Sequence, residues 1–318
     1  MIKYYQKKTG TPLTEIDKPQ KGCWINIYPP FDNTEELRKI SEELEIPIDY
    51  FFDSLDINER SRYEQEDGIQ FIVLNIPIKN ESDGEGEAYY ITIPLGIVEV
   101  DDYFITVAAF ENPVTDAFLQ RNIKTFHTGD HSHFALLIFE RTVQYFLLYL
   151  KNINNQRNLY EKELYHSSRN EELFKLMNLQ KSLVYFVTTL RDNETMFLRM
   201  QRTDFLKIRK KEEESDFFED ILVDINQAQE MARIYADILN ATLDTFASII
   251  SNNLNTIMKR LTSVTIILMI PNLIFSFYGT NFDHIWGLHF RYSPTIMLFL
   301  TTGFTFALTW YFMRKRFF

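Results

Sequence analysis

Two stretches near the C-terminus, Leu261–Phe282 and Tyr292–Met313, contain no charged residue. Each has about the 20 residues a helix needs to cross the hydrocarbon of a bilayer. A buried helix of a soluble protein rarely needs so long an apolar run, and two in succession make a pair of core helices the weaker reading. Residues 1–250 are polar, charged and rich in helix formers. The sequence therefore predicts a small membrane part attached to a large aqueous part, long enough for one large domain or two smaller ones. That imbalance explains why the whole chain, 45% hydrophobic and 24% charged, has the composition of a soluble protein.

Flanking charge sets an expected orientation. Lys259 and Arg260 precede the first run, Arg314, Lys315 and Arg316 follow the second, and the loop between carries only Asp283 and Arg291. By the positive-inside bias both termini are expected to be cytoplasmic, with the short loop outside the cell (inner or plasma) membrane. No apolar run follows Met1, so no cleavable secretory signal is expected. The lone Cys23 excludes a disulfide framework and a multi-cysteine zinc site within the chain. A net charge of −11 argues against nucleic acid, which selects a basic face, and suits cation attraction or simple solubility.

The N-terminal part mixes short elements. GCWINIYPP ends in a Pro turn, GIQFIVLNIP (Gly68–Pro77) reads as a strand, and AYYITIPLGIVEV and DDYFITVAAF read as two more joined at Asp101–Asp102. NTEELRKISEEL is a short helix with Asn33 or Thr34 as its cap. The expectation is an α/β domain with a mixed or antiparallel sheet. There is no Gly-x-Gly-x-x-Gly and no phosphate-cradling loop, so a nucleotide site has no support. Long helices are expected from about His131 to Tyr165 and, after the capping-box spacing of Ser168 and Glu171, to about Arg202. KIRKKEEESD (Lys207–Asp216) then interrupts the apolar pattern as a solvated helix end and reversal.

From Phe217 to Phe277 there is no Gly, and the one Pro is Pro271. This predicts a single helix on the order of 90 Å long that continues into the first span. Steps of three and four residues trace one face through Asp220, Asp244, Ser251, Asn255, Met258, Leu261 or Thr262, Thr265, Met269, Asn272 and Ser276. Polar groups are costly in lipid, so this face should meet protein or a water-filled path. Two spans cannot enclose a path, but a symmetric ring of subunits could, with this helix as its inner wall. The alternative is that Ser, Thr and Asn glue helices together in a non-conducting dimer. In the loop, Gly279 permits a turn, and Asn281 and nearby carbonyls would form an oxygen-lined mouth suited to a hard, hydrated cation.

Tyr278-Gly279-Thr280-Asn281 and the tail Arg314-Lys315-Arg316-Phe317-Phe318 resemble the Tyr-Gly-Met-Asn motif and basic-aromatic tail of the CorA family of divalent-cation channels. The resemblance implies a funnel-shaped homopentamer with an α/β cytoplasmic domain, a long-helix stalk and two transmembrane helices. Its implied parts are a 1–128 α/β domain, 129–253 long helices and stalk, a 254–279 pore-lining span, a 280–292 extracytoplasmic loop, a 293–313 second span and a 314–318 basic tail. It implies that Asn281, with Gly279 and Thr280, receives hydrated Mg²⁺. It further implies that Asn255, Met258, Leu261 and Met269 line the narrow pore, with Met258 and Leu261 as a hydrophobic gate. Asp244 would ring the cytoplasmic opening. Asp220 would share a regulatory divalent site with a carboxylate of the neighbouring subunit, Glu81 and Asp83 being candidates. Bound intracellular Mg²⁺ would hold the ring closed.

Thr280 replaces the motif's Met and adds a hydroxyl, and His284 and His289 are ligand types for softer ions such as Zn²⁺ or Ni²⁺. Exposed, non-ligating histidines are the preferred reading there. The same holds for His127, His131 and His133, in a polar segment that opens a helix. The leading function is a passive Mg²⁺ influx channel driven by the membrane potential. The alternatives are a Zn²⁺, Co²⁺ or Ni²⁺ transporter, and a non-conducting membrane-anchored interaction or sensor protein. No nucleophilic or paired acid–base arrangement suggests an enzyme.

Overall fold

The computed structural model describes residues 1–8, 10–29, 34–80, 86–120, 123, 126–166, 171–280 and 291–315. Among these, seven strands form one sheet: β1 (Ile2–Gln6), β2 (Thr14–Ile16), β3 (Trp24–Ile27), β4 (Arg62–Glu66), β5 (Ile69–Lys79), β6 (Tyr90–Val100) and β7 (Tyr103–Ala108). Their order is β2-β1-β3-β7-β6-β5-β4. The β3–β7 pair is parallel and every other pair antiparallel, so the sheet is mixed, as expected. Strands β5 and β6 are buried along nearly their whole length. That explains their continuous apolar runs, because a strand covered on both faces does not alternate.

The two faces are covered by different helices. Helices α1 (Thr34–Glu43) and α2 (Ile48–Leu55) close a core containing Leu37, Ile40, Phe51, Phe71, Val98 and Ile105. Gly96 on β6 makes this layer possible: a Cβ there would fall 1.8 Å from Ser54 Oγ on α2, so any larger residue would push the helix off the sheet. The other face carries an aromatic cluster in which Trp24 and Phe118 meet Phe134 edge-on and Phe104 meets it tilted, with centroids 4.5–5.3 Å apart. Phe118 comes from α3 (Pro113–Leu119) and Phe134 from α4 (His131–His166). The Trp24 indole donates to Thr106 Oγ1 at 2.7 Å, and Thr106 donates to Asn26 at 2.9 Å, so the polar atoms buried there are paired.

Helix α5 (Glu171–Thr203) packs on α4 and on the sheet, and α6 (Glu212–Tyr278) follows after a corner. The long helix is thus extended at both ends relative to the sequence expectation. Over its first part it buries Phe218, Ile221, Ile225, Ala228, Ala232 and Leu239. Their spacing of three, four and seven residues gives one apolar stripe. Phe218 lies 6.0 Å from the Phe197 ring of α5 and 6.4 Å from the Phe139 ring of α4. Asn226 donates to Glu194 at 2.9 Å, and these pairings run antiparallel. At the corner Asp204 and Lys207 adopt left-handed backbone. Arg209 donates its backbone N–H to Asp204 and its guanidinium to the carbonyl of Arg202, capping the last turn of α5.

The chain divides into two compact units, Met1–Thr242 and Leu243–Phe318. The second contains the rest of α6 and α7 (Ser293–Arg314). Both α6 and α7 are long and apolar enough to cross a membrane. Sequence reading overlooked β1, β2, β4, α2 and α3, none of which exceeds 8 residues.

Candidate functional site

Among the described residues of the second unit, only Phe246, Ser263 and Thr301 are buried. On α6, Ile267, Ile270 and Ile274 are half-buried and continue the Ser263 stripe. On α7, Met297, Thr305 and Leu308 do the same for Thr301. These are the faces of the two helices that are covered within the unit.

The residues singled out from sequence lie on the opposite side. Asn255, Met258, Leu261, Thr265, Met269, Asn272 and Ser276 are all exposed in the single chain. At 100° per residue their stripe is centred about 150° round the helix from the covered one. The structure therefore brings them together on one face left uncovered in the single chain. Met258 is 51% exposed, and Leu261 and Met269 are each 59% exposed.

Hydrogen bonding along this face has a consistent sense. Thr262 and Thr265 donate their hydroxyl hydrogens to the carbonyls four residues earlier, each at 2.8 Å. Thr280 donates to the Phe277 carbonyl at 2.7 Å. A hydroxyl whose hydrogen is engaged presents only lone pairs to its other neighbours. The amides of Asn255 and Asn272 make no hydrogen bond among the described residues. Thr265, Asn272 and Thr280 thus offer oxygen acceptors, the donor set that hydrated Mg²⁺ or another hard cation takes.

Helix α6 ends at Tyr278, and the Gly279 N–H continues it with a bond to the Phe275 carbonyl at 2.9 Å. Gly279 does not adopt left-handed backbone. Its lack of a side chain matters for closeness, since a Cβ would fall 3.1 Å from the Phe275 oxygen. The turn expected at Gly279 is present, as a tight helix exit. Met269, Asn272, Ser276, Tyr278 and Thr280 line a concavity there. Asn281, Asp283, His284 and His289 lie outside the described residues, as do Glu81 and Asp83.

Asp220, in the first unit, is exposed and lies between Asp216 and Asp224 at steps of four on one face of α6. Asp216 and Asp224 were missed by sequence reading, although an Asp every fourth residue was there to be seen. Like charges at this spacing cost about 0.2–0.5 kcal/mol per pair, which a bound cation would relieve. Asp244, in the second unit, is exposed as well. The histidines near α4 do not converge: His131 turns toward Glu99, and His133 lies beside Phe217. Among the described residues no group of three or more His, Cys, Asp or Glu is placed to hold a metal. Cys23 is fully buried, and burial pushes its thiol up.

Residues 19–316 match the family described as CorA-like Mg2+ transporter protein. A cobalt/magnesium transport protein CorA of Methanocaldococcus jannaschii is 28% identical over 275 residues, covering 82% of this chain and 80% of its own. One of Thermotoga maritima is 22% identical over 294 residues, covering 92% and 82% respectively. The solved structure of the complete CorA magnesium transporter from M. jannaschii has the same fold. It aligns with a TM-score of 0.82 at 23% identity, over 99% of this chain and 98% of that one. Fold, membrane helices and family match agree: the chain belongs to the CorA-like Mg²⁺ transporter family.

Proposed function

We propose that the chain forms a homopentameric channel that admits Mg²⁺ through the cell membrane, driven by the membrane potential. The observation that carries this reading is the acceptor-bearing stripe on the open face of α6, inside a helix segment apolar enough to span a bilayer. One chain leaves that stripe facing lipid, which is unfavourable for Asn272 and Asn255. A ring of copies turns it toward an axial path. The potential acts twice on a divalent ion, worth about 4.6 kcal/mol per 100 mV. Both relatives described above are named for cobalt as well as magnesium, which supports Co²⁺ as a second cargo.

In this reading residues 254–279 line the path, the 280–292 loop carries the mouth at Asn281, and 293–313 form the lipid-facing jacket. Residues 1–128 and 129–253 are the cytoplasmic domain and stalk, and the 314–318 tail is cytoplasmic too. Met258 and Leu261 form the hydrophobic constriction, and Asp244 attracts cations to its inner end. Asp220, within the Asp216–Asp224 row, binds regulatory Mg²⁺ between neighbouring subunits, so that loss of the ion lets acidic faces repel and the ring open.

The test is ion flux into proteoliposomes with Mg²⁺, Co²⁺, Ni²⁺ and Zn²⁺ in separate arms, with and without an imposed potential. Mg²⁺ and Co²⁺ should enter, faster with the interior negative, and Asn281→Ala should reduce Mg²⁺ flux by about tenfold or more. Undiminished Mg²⁺ flux in that variant would remove Asn281 from the mouth. Zn²⁺ or Ni²⁺ carried in preference to Mg²⁺ would replace the cargo.

A further inference from the structure

The corner between α5 and α6 is fastened to the sheet side of the first unit at several points. Gln70 on β5 donates to the Phe205 carbonyl, and Ser132 on α4 donates to the Leu206 carbonyl, both at 3.0 Å. The Tyr63 ring packs on Phe205 with centroids 4.6 Å apart. Lys211 bridges Asp130 at 3.8 Å and Glu214 at 2.9 Å. Between these attachments lies a cavity of about 340 Å³.

Two ionisable side chains meet in it. Glu99, at the end of β6, and His131, at the first turn of α4, have 13% and 15% of their side chains exposed. Glu99 Oε2 and His131 Nδ1 are 4.0 Å apart, too far for a hydrogen bond. Neither Glu99 Oε1 nor His131 Nε2 has a hydrogen-bond partner among the described residues. The β6–β7 turn contributes Asp101 and Asp102, the latter tied to Lys21 at 3.0 Å. The approach to α4 contributes Asp130, and the corner contributes Lys207. From β5 comes Gln70 and from β7 the Phe104 ring, 5.7 Å from the imidazole, neither of which titrates.

We propose that Glu99, enclosed beside His131, is a proton sensor whose charge sets how firmly the 204–211 corner docks on the sheet, giving transport a dependence on pH on the side of the membrane that holds residues 1–242. The link to transport rests on the channel reading above; the sensor itself does not.

Burial pushes the Glu99 carboxyl up to about 7, helped by Asp130 and opposed by Lys207. Burial also holds His131 below its ordinary 6.5, against the pull of Asp102 and Asp130. Below about 7 Glu99 keeps its proton and adds no charge to the cavity. Above it, Glu99 releases the proton to water and leaves a buried carboxylate facing Asp130. His131 is neutral in that range and supplies no countercharge. Lys207 does, but it is part of the corner. Moving Lys207 inward, or admitting water, strains the attachments at Phe205 and Leu206. The sign follows from the raised value: the contribution of Glu99 to stability is complete below 4.5 and is lost as pH rises through about 7.

The test is hydrogen–deuterium exchange of the full chain in lipid nanodiscs at pH values from 6 to 8, corrected for the intrinsic rate. Peptides covering 204–211 should exchange about threefold or more faster at pH 8 than at pH 6, and Glu99→Gln should abolish the difference. If that variant does not fold, Lys207→Met serves: losing the cation that favours the carboxylate should move the transition to higher pH. No pH difference in the native chain overturns the sensor, as does a full difference in Glu99→Gln or an unmoved transition in Lys207→Met. Mg²⁺ flux at internal pH 6 and 8 is measured alongside, and should differ in the native chain and converge in Glu99→Gln. Flux that ignores internal pH while exchange follows it overturns the link to gating. Absence of any Mg²⁺ flux overturns the channel reading and leaves the exchange result standing.

Discussion

Within α6, the stretch from Phe218 to Leu239 and the stretch from Asn255 to Ser276 share one backbone geometry and bury themselves in opposite ways. The first has an apolar stripe covered within the chain by α4 and α5, with polar residues outward. The second has its acceptor groups on an uncovered face and apolar side chains such as Phe275 and Phe277 exposed elsewhere. In water the driving force is removal of apolar surface, and a single chain can satisfy it. In lipid that force is absent and the polar atoms decide which faces must be covered. The first stretch therefore buries its apolar stripe within one chain, while the second leaves its acceptor face uncovered in one chain, the face that further copies would cover in the proposed channel.

That contrast can be broken where it is strongest. Phe218→Ala empties a site between α4, α5 and α6 and should cost about 3–5 kcal/mol. Thermal unfolding of the full chain in detergent should show a large fall in Tm, with assembly of the second unit scored by crosslinking. A Tm unchanged within error would mean that the first stretch is not held by its own chain. A smaller effect is expected from Asn272→Leu, which deletes an acceptor from the open face. Mg²⁺ flux should fall about tenfold, or ~1.4 kcal/mol in barrier, with Tm unaltered. Phe306→Leu, on an exposed position of α7, should stay within about twofold of native flux. Equal losses in the two variants would show that the faces of the second unit are not distinct. Of the predicted losses, the smallest belongs to Asp220→Asn. It removes one charge of the Asp216–Asp224 row and should raise the Mg²⁺ concentration that half-inhibits flux by about threefold. An unmoved inhibition curve would take Asp220 out of regulation.

The same contrast explains what could be read from the sequence. The spans, the long helix and the β5–β6 and β6–β7 connections were legible because uninterrupted apolar runs and a Gly-free stretch have few other uses. β4 was not: its sequence RYEQE is largely exposed and owes its extended form to the ladder it makes with β5. Short α2 was missed because its place depends on the absence of a side chain at Gly96, a partner far along the chain. The open face of α6 was legible because Asn and Thr are anomalous in an apolar run. Glu99 and His131 were not, since an acidic residue near a turn and a histidine at a polar helix start both look solvated. Only the fold brings α4 over the end of β6 and encloses them.

The back-bonded hydroxyls of Thr262 and Thr265 carry one more consequence. Grotthuss hopping requires each member of a chain to accept a proton on one side and release one on the other. A hydroxyl whose hydrogen is committed to a helix carbonyl does not perform the second half of that exchange. In the proposed channel these side chains would therefore interrupt a proton wire instead of extending it, and a leak of protons past them would have to run through water alone.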